Sequence, residues 1–317
     1  MTIVARMVGS VTRRGFIGLG LGSAAGAFGG CGSGGPMVID THTHFYDPAR
    51  PGGVPWPPKD NAVLYRTILP PDYPLRRGPH RAAGTVVVEA SPLVEDNQWI
   101  LDLAARHKFI RGFVGNLPIG TPAFAGLLDR FAKNPLFRGI RIRGMKLDGA
   151  LEDDALLGDL KCLADHDLSL DLVGQDAVPF AEGIADRFRM LRIVLDHLPG
   201  LRLDGGPVDK GWADAMASIA TRRNIFIKVS GLVEATGKRD GTAPGDPGFY
   251  RPALDLIWHV FGPDRLLYGS NWPVSEMYAP LATVHRIALE YFTARGQDAV
   301  EKVFSGTAKK VYRWVAR

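Results

Sequence analysis

The chain predicts an α/β fold, a closed and distorted (β/α)8 barrel, on three observations. Eight short apolar, β-rich runs recur along it, helix-length segments separate most of them, and no glycine-rich phosphate loop follows the first run. Regular alternation of strand and helix argues for a parallel sheet with helical crossovers. Eight such units in about 280 residues favour closure over an open doubly wound sheet. The missing loop weighs against a dinucleotide-binding version of that sheet.

The strands are expected in "MVIDTHTH" (37–44), "GTVVVEA" (84–90), "FIRGFVGNL" (109–117), "FRGIRIRG" (137–144), "LSLDLVG" (168–174), "RIVLDH" (192–197), "NIFIKVS" (224–230) and "RLLYGSN" (265–271). Helices are expected over 97–108, 122–133, 151–166 and 209–221, and the tail from 297 reads as one or two closing helices. Residues 45–83 break the alternation. They open with "FYDPARPGGVPWPPKD", and a long loop after a first strand usually shapes or covers a site.

The bulk composition, 46% hydrophobic and 22% charged over 317 residues, is that of a globular protein with an ample core. The formal charge of +5 is inflated by Arg6, Arg13 and Arg14, which lie in a first segment of thirty residues without an acid. Without that segment, 35 basic residues face 33 acidic ones. Such a balance carries no nucleic-acid signature.

Residues 1–30 contain "TRRGFIGLGLGSAAGAFGG", too short and glycine-rich for a membrane span. The stretch resembles a twin-arginine export signal through Thr12, Arg13, Arg14, Phe16 and Ile17. Export to the periplasm by that route is expected. Cys31 follows a degenerate lipoprotein cleavage box, so a lipid tether to a membrane through Cys31 is the second expectation. Residues 31–36 read as a linker and 37–317 as one barrel domain.

Barrel active sites sit at the C-terminal strand ends. Polar residues gather there. His42 and His44 end the first strand, Glu89 the second, and Arg141 and Arg143 the fourth. Gln175 follows the fifth, Asp196-His197 close the sixth, Lys228 and Ser230 lie on the seventh, and the eighth ends in Ser270-Asn271-Trp272. Side chains at i and i+2 of a strand share a face, so His42 and His44 point together. They fit two ligands of one metal, an acid–base pair, or two plain polar residues. Asp196 has the opposite parity to His197, which suggests an anchor for a loop or helix. Glu89 and the arginines fit mutual pairing as well as substrate contact. Trp56 and Trp272 fit either a wall against a ring-shaped substrate or ordinary packing.

In order along nearly the whole chain, "VIDTHTHFYDP…VPWPP", "VVVEA", "FRGIRIRG", "VLDHL", "IKVSGLVEA" and "LLYGSNWPV" resemble the amidohydrolase superfamily. The similarity is to the branch of sugar-acid lactonases (L-fuconolactonases), sulfomuconolactone hydrolases and pyrone-dicarboxylate hydrolases. The resemblance implies a distorted barrel of the metal-dependent-hydrolase kind that hydrolyses a lactone or related ester. It implies one divalent metal, usually zinc, although some members work without metal. It assigns His42, His44 and His197 to metal binding or carbonyl polarisation, with position 271 as a further ligand. Lys228 and the arginines would meet an acidic substrate or its carbonyl oxygen.

At position 271 the family usually carries an aspartate that takes a proton from the attacking water. Here it is Asn271, and a carboxamide accepts no proton at working pH. A metal-bound hydroxide, Glu89 or a histidine would have to compensate. The expected partner is therefore a small lactone or acidic molecule and no nucleic acid; the oligomeric state is left open. A superfamily decarboxylase or hydratase, and a tethered binding protein of weak activity, are the alternatives.

Overall fold

The computed structural model describes residues 36–76, 81–143, 149–174 and 176–313. The expected export segment, Cys31 and Gln175 lie outside the described residues. Eight parallel strands pair in chain order: β1 (Val38–Thr43), β2 (Ala82–Val88), β3 (Ile110–Gly115), β4 (Phe137–Arg143), β5 (Ser169–Val173), β6 (Arg192–Leu195), β7 (Ile225–Val229) and β8 (Leu266–Tyr268). Each falls within or against an expected run. Parallel strands buried on both faces must be apolar nearly throughout, and that makes them visible in a sequence.

Among the described residues, seven helices surround the strands: α1 (Asp96–Arg106), α2 (Phe124–Ala132), α3 (Asp154–Asp165), α4 (Ala177–Arg187), α5 (Lys210–Ile219), α6 (Pro247–Phe261) and α7 (Leu281–Thr293). Their starts have local causes. Asp153, Asp209 and Asp246 accept hydrogen bonds from the first free amides of α3, α5 and α6. Along α7 the buried Leu281, Val284, Ile287, Ala288 and Tyr291 recur at helical spacing and face the core.

The floor of the barrel is a separate apolar cluster. Ile39, Val86, Val114, Val194, Phe226 and Leu267 point inward and meet Ala308, Val311 and Tyr312 from the tail. The tail consists of α8 (Gln297–Glu301), a π-type turn (Lys302–Gly306) and α9 (Thr307–Val311). Arg192 at the start of β6 donates to the Val311 carbonyl, which pins the plug at the N-terminal end of the strands (2.7 Å).

Closure is irregular. Between β1 and β8 the backbone contact is an isolated bridge, Thr43 to Trp272. The buried carboxylate of Asp40 does much of the joining. Its Oδ1 accepts from the amides of Ser270 (2.8 Å) and His42 (3.1 Å), and its Oδ2 from Ser270 Oγ (2.5 Å) and Tyr73 OH (2.7 Å). The β1–β2 register also shifts between Asp40 and Thr43. A one-residue slip moves side chains to the other face. Ile39 and His42, which strict alternation would separate, therefore both turn toward the barrel axis.

Candidate active site

The site lies at the C-terminal strand ends, and three imidazoles form its centre. The rings of His42 and His44 are 5.0 Å apart and nearly perpendicular. His197 comes to 4.1 Å from His42. Two glycines make this approach feasible. A Cβ on Gly231 would lie 2.7 Å from His197 Cβ, and one on Gly269 would lie 2.9 Å from His42 Cβ. His197 itself is left-handed (φ 64°), and so is Asn271 (φ 56°). Non-glycine residues in that region carry backbone strain, and such residues cluster at functional sites.

That left-handed turn corrects the reading of Asp196. Its parity does differ from that of His197, but Asp196 shares the inward face of Val194 and is buried in the barrel. Asp196 Oδ1 is 2.9 Å from Lys228 Nζ and 3.5 Å from His42 Nδ1, and Oδ2 is 3.7 Å from Arg141. The cations balance its charge, yet neither oxygen accepts a well-aligned hydrogen bond. His197 enters the mouth only because the chain reverses after the strand.

Beneath the imidazoles is a charged layer. Lys228 has no exposed surface. Its ammonium bridges Asp171 (2.7 Å) and Asp196, donates to His42 Nδ1 (3.4 Å), and sits over the ring of Tyr312. It thus acts through His42 and Asp196 instead of facing substrate as expected. Tyr312 also donates to Asp171 Oδ2 (2.8 Å). Burial pushes the Asp171 carboxyl up, to about 6, against the pull of Lys228. Asp196, although just as buried, is held well below the usual carboxylate range chiefly by the charge of Lys228. Asp171 is a site residue beyond those expected from the sequence. The charged third residue of "SLDLV", on the inward parity of an apolar strand, was the available signal.

On the β2–β4 side, Glu89 Oε1 accepts from Arg141 (2.8 Å) and Arg143 (2.7 Å). The Glu89 carbonyl also accepts from Arg141 Nη2 (2.5 Å), and Arg141 Nη1 reaches His42 Nε2 at 3.5 Å. Glu89 is therefore committed to two guanidiniums and is a poor stand-in base. Lys228, Arg141 and Arg143 face Asp171, Asp196 and Glu89, so the mouth is balanced with its imidazoles uncharged. Burial lowers His42 and His44 well below the usual histidine value and His197 to about 4.

His44 Nδ1 donates to the Val88 carbonyl (2.9 Å) and its Nε2 lies 3.3 Å from Asn271 Oδ1. Asn271 Nδ2 donates to Glu234 Oε1 (2.9 Å). With Nδ1 donating, a neutral His44 turns a lone pair toward Asn271. Turning the carboxamide over would set its NH2 on that lone pair and its oxygen against Glu234, the pairing that a protonated Glu234 favours. Ser230 Oγ and His197 Nδ1 are hydrogen-bonded at 2.9 Å.

Among the described residues, the histidines and carboxylates that converge as a possible metal site are His42, Asp196 and His197, each with a ligating atom within 4.8 Å of the others. Two neutral imidazoles and a carboxylate short of hydrogen bonds suit zinc or a similar ion. His44 and Asn271, expected in the ligand set, instead contact each other. Trp56 lies at the mouth, 5.7 Å from the His44 ring. Trp272 does not face the mouth as a substrate wall: it is 1% exposed, packs edge-on against Phe45 and Tyr73, and donates to Glu276 (2.7 Å). Its large apolar ring sits below the site as core. A cleft of about 690 Å³ opens beside Asp196, His197 and Glu234. A second, of about 450 Å³, lies along Trp56, Glu89, Arg141 and Arg143.

A sequence profile of the amidohydrolase family matches residues 39–314. The chain belongs to the amidohydrolase family. This amidohydrolase is 33% identical over 288 residues to an L-fucono-1,5-lactonase of Burkholderia ambifaria, a match covering 87% of this chain and 95% of the relative. An L-fucono-1,5-lactonase of Burkholderia multivorans is 27% identical over 299 residues, covering 88% and 96%. A solved amidohydrolase from Burkholderia multivorans with bound zinc superposes with a TM-score of 0.76 at 25% identity, covering 88% of this chain and 100% of that one. A probable 2-pyrone-4,6-dicarboxylic acid hydrolase from Acinetobacter baumannii, with citric acid bound, shares the fold (TM-score 0.66, 16% identity, 87% and 99% covered).

Proposed function

We propose that this amidohydrolase opens the lactone of a sugar acid, adding water to the ring carbonyl to give the hydroxy acid. The observation that carries the reading is the meeting of His42, His44 and His197 over a balanced layer of buried charge. The relatives, L-fucono-1,5-lactonases at 33% and 27% identity, support a sugar-acid lactone over other cyclic esters. Cleft size supports it too, since small-molecule sites commonly span roughly 300–1,000 Å³.

The uncharged imidazoles have physical consequences. Their lowered basicity makes them weak proton acceptors but leaves unprotonated nitrogens that can bind an ion. A divalent ion, zinc by the donor set, would be held by His42, Asp196 and His197 and would serve as a Lewis acid for the carbonyl or its water. Arg141 lies where it can stabilise an oxyanion beside His42, and preorganised charge of this kind usually supplies much of the barrier reduction in acyl transfer. Lys228 holds Asp196 and His42 in place from below. Trp56 offers an apolar face at the rim, and Arg143, half-exposed, offers a contact for a substrate carboxylate.

The test is a panel of sugar and aromatic-catabolite lactones, followed by acid release, with chelator and with added zinc or manganese. Turnover of sugar lactones in preference to the others is expected. Tight binding without turnover would favour the binding-protein reading, which Asn271 keeps in play. Release of CO2 from an aromatic acid would favour a decarboxylase. The expected export by the twin-arginine route, with Cys31 lipidated in the periplasm, remains part of this proposal. Cell fractionation and labelling of Cys31 with a fatty acid test it.

A further inference from the structure

The reaction needs a group that takes a proton from water, and the position beside His44 offers only a carboxamide. Most of the carboxylates at the mouth are occupied. Glu89 is shared by two guanidiniums, and Asp171 and Asp196 are tied to Lys228. Asp40 is spent on the β1–β8 seam. Glu234 differs. It opens a single 3₁₀ turn (Glu234–Thr236) just after β7, carried there by the left-handed Gly231 that passes under His197. Its Oε1 accepts from Asn271, while its Oε2 is buried without a hydrogen-bond partner. The residue lines the same cleft as Asp196 and His197.

On the lactonase reading, we propose that Glu234 is the proton-transfer residue of this active site, oriented by Asn271. Water oxygen bonds to the lactone carbonyl carbon, and one water proton passes to Glu234 Oε2. The carbonyl electron pair moves onto oxygen and then returns as the ring C–O bond breaks. The departing alkoxide takes the proton back from Glu234. The product is the open hydroxy acid, which ionises in solvent, and the carboxylate is regenerated.

Burial pushes the Glu234 carboxyl up to about 7. The titratable and charged groups around it are Tyr250 on α6 and, along the cleft, Asp196, His197, Arg202, Asp204 and Asp209. Neither guanidinium of the mouth contacts it. The Asn271 amide can follow its protonation by turning over, donating NH2 to the carboxylate and presenting oxygen to the acid.

The experiment compares wild type, Glu234→Gln, Glu234→Asp and Glu234→Ala on the best lactone of the panel, across pH, with folding checked by thermal melting. Glu234→Gln is expected to lose about 10²–10⁴-fold in kcat with KM little changed. The rise of kcat/KM through about pH 7 should vanish in it. Glu234→Asp should recover part of the rate, and formate should partly rescue Glu234→Ala. A Glu234→Gln enzyme with wild-type kcat and pH profile overturns the assignment, as does a fallen rate with the pH profile intact and no rescue by formate. If wild type itself opens no lactone, the lactonase reading fails and this assignment falls with it. If wild type is active, only the role of Glu234 is at stake.

Discussion

Two glutamates flank the mouth, Glu89 at the end of β2 and Glu234 after β7, and their surroundings differ in kind. Glu89 lies between two guanidiniums. Glu234 has a neutral carboxamide for a partner and is pushed up to about 7 by burial. A nearby cation favours the charged form of a carboxylate, whereas burial beside a neutral donor leaves it ready to take a proton. One side of the mouth pairs its carboxylate with two cations and the other leaves its carboxyl beside a neutral donor. The same residue type serves both purposes according to what its neighbours supply.

The comparison can be broken most forcefully through the layer beneath it. Lys228→Met leaves Asp171 and Asp196 facing each other without their shared cation. It should cost roughly 3–5 kcal/mol in urea unfolding, and adding Asp171→Asn should return part of that loss. Additivity of the two changes would show that the ammonium does not couple them.

Glu89→Gln and Glu234→Gln sharpen the contrast directly. The first strands two guanidinium groups and should cost about 1–3 kcal/mol in urea unfolding. The second should raise stability at alkaline pH instead of lowering it. The folded carboxyl of Glu234 is raised from 4.5 to about 7, so the stability tied to its protonated form is complete below pH 4.5 and lost as pH rises through about 7. Glu234→Gln removes that loss. Its melting temperature should exceed that of wild type at pH 8 and converge with it at pH 5, and melting scans at the two pH values decide the point. Arg143→Ala should have the smallest effect. Its side chain is 52% exposed, and pairs of that kind contribute about 0–1 kcal/mol. A raised KM for acidic substrates, with unchanged unfolding, is the expected result.

Much of this architecture was legible in the residues. The eight strands announced themselves because burial on both faces makes them mostly apolar, and the few charged residues they carry, such as Asp40, Arg141, Asp171 and Lys228, are buried and paired. The convergence of His42, His44 and His197 followed from strand-end position. What escaped reading depended on local backbone departures. Period-two parity carried through to His197 turns Asp196 away from the site, but a left-handed residue at 197 ends the strand's geometry there. Glu234 escaped because it is on no strand at all; only a one-turn 3₁₀ segment and Gly231 bring it back to the cleft. Trp272 was indistinguishable from a ligand-facing ring until its neighbours Phe45 and Tyr73 were in place. Pairing of Glu89 with an arginine is one of the alternatives the sequence leaves open; that both Arg141 and Arg143 reach it depends on β2 and β4 lying either side of β3.

The barrel resembles a bracelet with a clasp. Around most of the ring, neighbouring strands are laced by main-chain ladders, but at one place the link is largely the carboxylate of Asp40. His42 and His44 stand on one half of that clasp and Asn271 on the other. Anything that pulls His44 and Asn271 together fastens it, and anything that loosens it spreads the chemistry apart. Deuterium uptake at the amides of His42 and Ser270 should therefore fall in step when a product analogue is added, while the ladder between β4 and β5 stays unmoved.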